Sequence, residues 1–89
     1  MPEQNIEIIN RLGLHARAAA KFSTTASQFS CKISVICHGK VVNGKSIMGL
    51  MMLAAARGTE IRIATEGADE NEAMTALREL IENRFGEPE

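Results

Sequence analysis

The sequence predicts an α+β fold, an open-faced β-sandwich in which a four-stranded antiparallel sheet is covered on one face by three helices. Four short segments alternate apolar and polar residues, three others repeat apolar residues at helical spacing, and the two kinds are interleaved as β-α-β-β-α-β-α. Because each strand keeps a polar side, one face of the sheet should remain in water. The 89 residues suffice for one domain, which we expect to span residues 1–89.

A first strand and a first helix are predicted on either side of Gly13. Residues 4–10 carry three isoleucines and are predicted to form the strand. Residues 16–29 are predicted to form the helix, because apolar residues recur there at steps of three and four. These apolar residues are Ala19, Phe22, Ala26 and Phe29.

A hairpin and a short helix follow. Residues 32–37 alternate and predict the second strand, and a turn at Gly39 leads into a short third strand at residues 40–42. Ser46 is placed to cap a helix over residues 47–53. The second strand places three residues on one face, namely Ile33, Val35 and Cys37.

A last strand and a last helix complete the pattern. Residues 60–66 alternate again, and this fourth strand should lie antiparallel between the first and the second. Asp69 and Glu72 form an Asx version of the capping box, which predicts a final helix that begins there and stops at Gly86. One stripe of that helix is predicted to contain Ala73, Leu77, Leu80, Ile81 and Arg84.

Composition and charge exclude several classes of protein. Ten Lys and Arg against 11 Asp and Glu give a net charge of −1, and the chain has no Trp or Tyr. Neither the positive charge nor the aromatic platforms of a nucleic-acid-binding protein are present. The longest apolar run, residues 47–56, is interrupted by Gly49 and is about half as long as a membrane span. The polar, acidic first residues do not resemble a secretory signal.

The two cysteines indicate a reducing compartment. Cys31 and Cys37 flank a predicted strand, about 20 Å apart, which is too far for a disulfide. Neither has neighbours at zinc-ligand spacing, and no cluster of ligands suggests a metal or a cofactor. We therefore expect a cytoplasmic protein with free thiols, no metal and no cofactor.

The segment Gly13-Leu14-His15-Ala16-Arg17 is the main candidate for chemistry. His15 is predicted to be the N-cap of the first helix, where unpaired backbone N–H groups and the positive end of the helix dipole bind tetrahedral anions. The dipole and Arg17 should disfavour imidazolium and leave a neutral, nucleophilic ring. The same donors would surround a phosphoryl group on that ring. The alternative is a histidine that merely begins a helix, with Arg17 solvated.

Residues 39–46 match the pattern G-x-x-x-x-G-K-S of a nucleotide-binding P-loop. A P-loop follows a buried parallel strand and opens a long helix, whereas here a hairpin strand precedes Ser46 and the next helix is short. No later Asp is placed to hold magnesium. Nucleotide binding therefore stays a disfavoured alternative, and a simple N-cap is the other interpretation of Ser46.

The short helix after Ser46 is apolar on nearly every side. A short surface helix cannot bury every side, so some of its methionine and isoleucine side chains should face solvent and form an adaptable docking patch. The alternative is that all of them belong to the core. His38, by contrast, is interpreted as an ordinary exposed residue of the hairpin turn.

Two separate motifs, GLHARAAA and VNGKSIMGLMMLAAA, occur in the predicted order of elements, and the last helix begins with GADENEA. Over essentially its whole length the chain resembles the HPr family, the histidine-containing phosphocarriers of the bacterial phosphoenolpyruvate-dependent phosphotransferase system. The resemblance implies that His15 accepts a phosphoryl group through Nδ1 from phosphorylated Enzyme I and passes it to Enzyme IIA domains. Arg17 matches the arginine that steadies the phosphate. The resemblance implies a stoichiometric carrier in sugar transport, not an enzyme, and a monomer suits a carrier that visits several partners.

The resemblance also implies regulation. Ser46 matches a serine that the ATP-dependent HPr kinase/phosphorylase phosphorylates, and Ile47, Met48 and Met51 match the partner-docking patch. In a second hypothesis, the chain has the fold of the family but does not transfer a phosphoryl group. In that case the chain is a non-catalytic regulatory module that binds partners through Ser46 and the adjacent patch.

One position departs from the family pattern. The family usually reads H-A-R-P, and Ala18 stands at the fourth position here. Proline fits the first turn of a helix because it gives up only an N–H that has no helical partner. Ala18 restores that donor, so anion binding should survive, while the balance between sugar uptake and regulation stays open.

Overall fold

A computed structural model of the chain describes residues 2–88, and its main elements follow the predicted order. The strands are β1 (Glu3–Glu7), β2 (Lys32–Cys37), β3 (Lys40–Asn43) and β4 (Glu60–Glu66), and the helices are α1 (Ala16–Ala26), α2 (Ile47–Met52) and α3 (Glu70–Glu82). A short 3₁₀ turn, Arg84–Gly86, follows α3. Within residues 2–88, no helix has the length and apolar character that crossing a bilayer requires.

The four strands form one antiparallel sheet in the order β1-β4-β2-β3. The last strand along the chain, β4, thus lies between the first and the second, as predicted. In this register Ile6 faces Ile61 across β1 and β4, while Val35 of β2 faces both Ile63 and Val42. The predicted fold class is therefore confirmed.

Alternation along the strands decides which face of the sheet is buried. The inward residues of β2 and β4 are almost completely shielded from solvent, and they are Ile33, Val35, Cys37, Ile61, Ile63 and Thr65. The helices cover this face with fully buried side chains, among them Phe22 of α1, Leu50 of α2 and Leu77 of α3. Burying an apolar side chain of this size stabilises the fold by about 1.5–3 kcal/mol. The opposite face of the sheet is open.

The first strand and the first helix are both shorter than predicted. β1 ends at Glu7 and not at residue 10, so Asn10 lies in the loop that follows, with its side chain fully buried. α1 ends at Ala26 and not at residue 29, because the final turn tightens and the N–H of Phe29 binds the carbonyl of Ala26 at 3.2 Å. Phe29 still packs against the core from outside the helix.

The capping box predicted at Asp69 and Glu72 does not form. Asp69 precedes α3, but its carboxylate accepts the N–H groups of Ser30 and Cys31, both at 2.9 Å, and makes no bond to the helix amides. Chiefly because of the bond from Ser30, the pKa of the Asp69 carboxyl lies below its usual range. The cysteines Cys31 and Cys37 are both free and buried. Asp69 therefore joins the α1–β2 loop to the start of α3.

The end of α3 also differs from the prediction. The helix stops at Glu82, and Arg84 and Phe85 both adopt left-handed backbone with φ of 54°. Phe85 is fully buried after this reversal, whereas Arg84, predicted to lie on the apolar stripe, is exposed. Lys21 of α1 binds the reversed segment by donating from Nζ to the carbonyl of Phe85 at 2.6 Å. The chain after α3 is thus turned back towards α1, which brings Glu87 to the start of that helix.

Candidate functional site

His15 is the N-cap of α1, as predicted. Its backbone is extended (φ −82°, ψ −177°), and its carbonyl accepts the N–H of Ala19 at 2.8 Å, as the first bond of the helix requires. The ring turns back over the helix start, where Nδ1 accepts the backbone N–H of Arg17 at 3.3 Å. An imidazole nitrogen that accepts a hydrogen bond carries no proton, so Nδ1 presents its lone pair at the amino end of α1.

The loop before α1 is anchored to the loop before β4. Gly13 has a φ of +69°, and a Cβ at this position would lie 2.6 Å from the carbonyl oxygen of Ala55 and 2.8 Å from Cα of Ala56. Glycine alone permits both this conformation and this close approach. The buried Leu14 donates its N–H to the same carbonyl of Ala55 at 2.8 Å. The two residues directly before His15 are therefore fixed by backbone contacts.

A carboxylate that no sequence motif indicated binds the other side of the ring. Oε2 of Glu87 lies 2.5 Å from Nε2 of His15, and Oε1 accepts a hydrogen bond from Nδ2 of Asn10 at 3.0 Å. Burial raises the pKa of the Glu87 carboxyl, but the hydrogen bonds from Asn10 and His15 outweigh burial and leave that pKa below its usual value. Glu87 is therefore ionised at neutral pH, and Nε2 of His15 is the donor between them.

The sequence contained no local signal for this contact. Glu87 is 72 residues away from His15, and the sequence indicates only that the last helix stops at its neighbour Gly86. Asn10 was placed in the first strand. Both residues reach the site through the tertiary fold, which spacing along the chain does not encode.

His15 borders a concavity of about 500 Å³. This space is lined by Arg11, Leu12, His15, Ala16, Arg17, Glu87 and Pro88. The His15 side chain is 27% exposed, so the ring can be reached from solvent. Arg17 is exposed on the first turn of α1, while Ala18, the next residue, is fully buried. The concavity is thus bordered by a histidine, an arginine and the amino end of a helix, a combination that suits a tetrahedral anion.

Ser46 caps α2 in a similar way. Its backbone is extended, and Oγ accepts the N–H of Gly49 at 3.1 Å, which confirms the predicted cap. Leu50 turns into the core, but four apolar side chains of α2 are solvent-exposed, among them Met52 at 70%. The other three follow Ser46 more closely and are Ile47 at 44%, Met48 at 75% and Met51 at 45% exposure. The expectation that α2 leaves apolar side chains in solvent is therefore confirmed, and these three residues are called the docking patch below.

The P-loop interpretation of residues 39–46 has no support in the structure. Gly39 lies in the β2–β3 turn, and β3 is an edge strand with an antiparallel neighbour. Lys45, whose ammonium would have to reach a phosphate, donates to the carbonyl of Phe29 at 2.7 Å. His38 is exposed in the same turn. Among residues 2–88, no three His, Cys, Asp or Glu side chains converge as a metal site would need.

The chain is similar to phosphocarrier proteins along its whole length. A family model described as "PTS HPr component phosphorylation site" matches residues 2–83. The chain is 63% identical over 89 residues to the phosphocarrier protein HPr of Neisseria meningitidis serogroup A, and 54% identical over 90 residues to that of Pseudomonas aeruginosa, with 100% of each chain covered. Among solved structures, HPr-C-His from Thermoanaerobacter tengcongensis matches at a TM-score of 0.96 and 52% identity, with 100% of both chains covered. A phosphocarrier protein HPr from Bacillus anthracis matches at a TM-score of 0.87 and 41% identity, with 90% of this chain and 95% of that chain covered.

Proposed function

The chain belongs to the HPr family of phosphocarrier proteins, and we propose that His15 is its phosphoryl acceptor. In this proposal phosphorylated Enzyme I is the donor, and Enzyme IIA domains receive the phosphoryl group afterwards. The observation that carries the proposal is the placement of the ring, whose Nδ1 faces the amides that begin α1 while its edge lines an open concavity. The chain then acts as a stoichiometric carrier and turns over no small substrate.

Nδ1 of His15 is the nucleophile in the proposed step. Its lone pair forms a bond to phosphorus while the bond between phosphorus and Enzyme I breaks, and the electron pair of that bond returns to the donor atom. No proton has to leave the ring, because the proton is already on Nε2, beside Glu87. Transfer to Enzyme IIA reverses the exchange, and the neutral ring with its proton on Nε2 is then the leaving group.

Arg17 and the first turn of α1 supply the positive groups for the phosphoryl oxygens. Arg17 lines the concavity, and the N–H groups of Arg17 and Ala18 belong to the first turn, where no helical carbonyl can bind them. Once phosphorus occupies Nδ1, that nitrogen no longer accepts the N–H of Arg17, and the amide becomes available to the phosphate. Ala18, which stands where the family usually has proline, adds one further N–H donor.

Ser46 is assigned in the same proposal as a regulatory phosphorylation site for an HPr kinase/phosphorylase. The assignment is supported by its place at the start of α2, directly beside the exposed docking patch. A phosphate there would lie near the positive end of α2 and should leave the fold intact. It would also add about two negative charges to the docking patch and so weaken the encounter with Enzyme I.

Incubation with phosphoenolpyruvate and Enzyme I, followed by intact-mass analysis, tests phosphoryl acceptance. The parent protein should gain one acid-labile phosphate, and His15→Ala should lose this signal completely. His38→Asn is the matched control, because His38 is an exposed histidine with a φ of 51°, a conformation that asparagine tolerates. A parent protein that stays unlabelled, while a known HPr is labelled, would reject phosphotransfer and favour the binding module that acts through Ser46 and the docking patch.

A further inference from the structure

We propose that Glu87, held by Asn10, is a positioning residue that fixes the His15 ring with its proton on Nε2 and its lone pair on Nδ1. The inference rests on the proposed acceptance of a phosphoryl group by His15. Neither Glu87 nor Asn10 belongs to the motifs GLHARAAA and VNGKSIMGLMMLAAA, and the two residues come from distant parts of the sequence. Only the fold brings them to the ring.

Two hydrogen-bond donors converge on the Glu87 side chain. Nε2–H of His15 meets Oε2 at 2.5 Å, and Nδ2 of Asn10 meets Oε1 at 3.0 Å. The Asn10 amide cannot be turned to offer its oxygen instead, because Nδ2 also donates to the carbonyl of Gly13 at 2.8 Å. A side chain at position 87 must therefore accept at both of its terminal atoms. An ionised carboxylate does so, whereas an amide offers only one acceptor.

Two features of this arrangement destabilise the fold, so a gain in stability does not explain why they are present. The Asn10 side chain is fully buried, and its Oδ1 has no hydrogen-bond partner within the part of the chain that the structure describes. An unpaired buried acceptor destabilises a fold, and so do the consecutive left-handed residues Arg84 and Phe85 that lead to Glu87. Both of these unfavourable features help to place the Glu87 carboxylate against the His15 ring.

Glu87 acts on the ring both before and after the transfer. Before the transfer it keeps the proton on Nε2, so Nδ1 has a lone pair for phosphorus. Bond formation at Nδ1 then makes the ring a cation, and the carboxylate 2.5 Å from Nε2 stabilises that charge. Glu87 forms no bond to phosphorus and exchanges no proton with the partner. The opposite tautomer, with its proton on Nδ1, has no lone pair at the site of attack.

Glu87→Gln tests the positioning role, because glutamine keeps the shape of the side chain and removes one acceptor. Nitrogen-15 NMR of the neutral imidazole should find the proton on Nε2 in the parent protein and a substantial share on Nδ1 in the variant. Phosphoryl acceptance from phosphorylated Enzyme I should slow by about tenfold, as expected for the loss of a charged hydrogen bond. Glu82→Gln is the matched control, since Glu82 pairs with Arg78 at the surface of α3 and should affect neither measurement.

The two measurements separate this inference from the proposed function. If the parent protein accepts phosphate and Glu87→Gln matches it in tautomer and in rate, Glu87 has no positioning role. If the parent protein accepts no phosphate on His15, the proposed function fails, and the NMR comparison still decides whether Glu87 sets the tautomer. Glu87→Ala provides a second variant that offers no acceptor at all, and it should shift the tautomer in the same direction. Thermal unfolding of each variant checks that the fold is retained.

Discussion

The amino ends of α1 and α2 are built alike but suit different chemistry. Each helix begins with a side chain that accepts a backbone N–H, through Nδ1 of His15 at 3.3 Å and through Oγ of Ser46 at 3.1 Å. Each cap also follows a glycine two residues earlier, Gly13 or Gly44. The surroundings differ, because His15 is bound on its far side by a carboxylate and borders a concavity, whereas Ser46 adjoins the exposed docking patch.

This difference indicates that a capping side chain does not by itself make a phosphoryl acceptor. His15 has an unprotonated nitrogen aimed at the helix amides, and its other nitrogen is held by Glu87. The hydroxyl of Ser46 carries a proton that must leave before its oxygen attacks phosphorus, and within residues 2–88 no carboxylate or imidazole binds it. In our account His15 is therefore prepared by its own chain, whereas Ser46 depends on a base and a phosphoryl donor that a kinase supplies.

The largest effect should come from a substitution in the backbone just before His15, and it should be an effect on stability. Gly13→Ala should destabilise the protein by about 3 kcal/mol, because it combines a left-handed backbone with a clash against the backbone of Ala55 and Ala56. Gly39→Ala is the matched control, since Gly39 has a φ of +79° but nothing within 4 Å of the added Cβ. It should cost only about 1 kcal/mol. Urea unfolding measures both, and equal losses would contradict the close anchoring of the His15 loop.

A smaller effect should follow from charge at Ser46. Ser46→Asp should slow phosphoryl acceptance from Enzyme I by about tenfold, because a negative charge beside the docking patch weakens the encounter. Ser46→Asn is the control, since asparagine has the same shape as aspartate, caps helices well and carries no charge. Phosphorylation reactions that are quenched at set times, at low and at high salt, give the rates of both variants. The difference between the variants should shrink as salt screens the charge, and equal rates at low salt would oppose a regulatory role based on charge.

The smallest effect should come from the docking patch itself. Met48→Ser should lower the affinity for Enzyme I by about threefold. Met48 is largely exposed, and serine removes apolar surface that a bound partner would cover, without a change of charge. Its stability should change by less than about 0.5 kcal/mol. Val41→Ser is the control, since Val41 is 66% exposed on β3, outside the docking patch. Titration calorimetry with Enzyme I compares them, and a larger loss for Val41→Ser would move the docking surface to the open face of the sheet.

Local sequence patterns were sufficient to predict the parts of the molecule that local forces determine. Alternation placed Ile33 and Val35 on one face of their strand, and both are buried in the core. The type of residue at His15 and Ser46 predicted both helix caps. The type of each element could therefore be predicted, because the strand and helix periodicities and the capping chemistry act over a few residues.

Side-chain contacts between distant segments could not be predicted in this way. Asp69 had the sequence position of a helix cap, yet the amides of Ser30 and Cys31 compete for its carboxylate and bind it. Glu87 and Asn10 meet at His15 only because the chain reverses after α3. Side chains that reach a site through the tertiary fold carry no spacing signal, and in this protein they include the groups that orient the ring.

We propose that Nδ1 of His15, and not Nε2, receives the phosphoryl group. The direct measurement is phosphorus–nitrogen NMR of nitrogen-15-labelled protein after incubation with phosphoenolpyruvate and Enzyme I. We expect one-bond coupling between phosphorus and Nδ1, with the proton retained on Nε2 beside Glu87. Coupling to Nε2, or phosphate bound only to another residue, would contradict it.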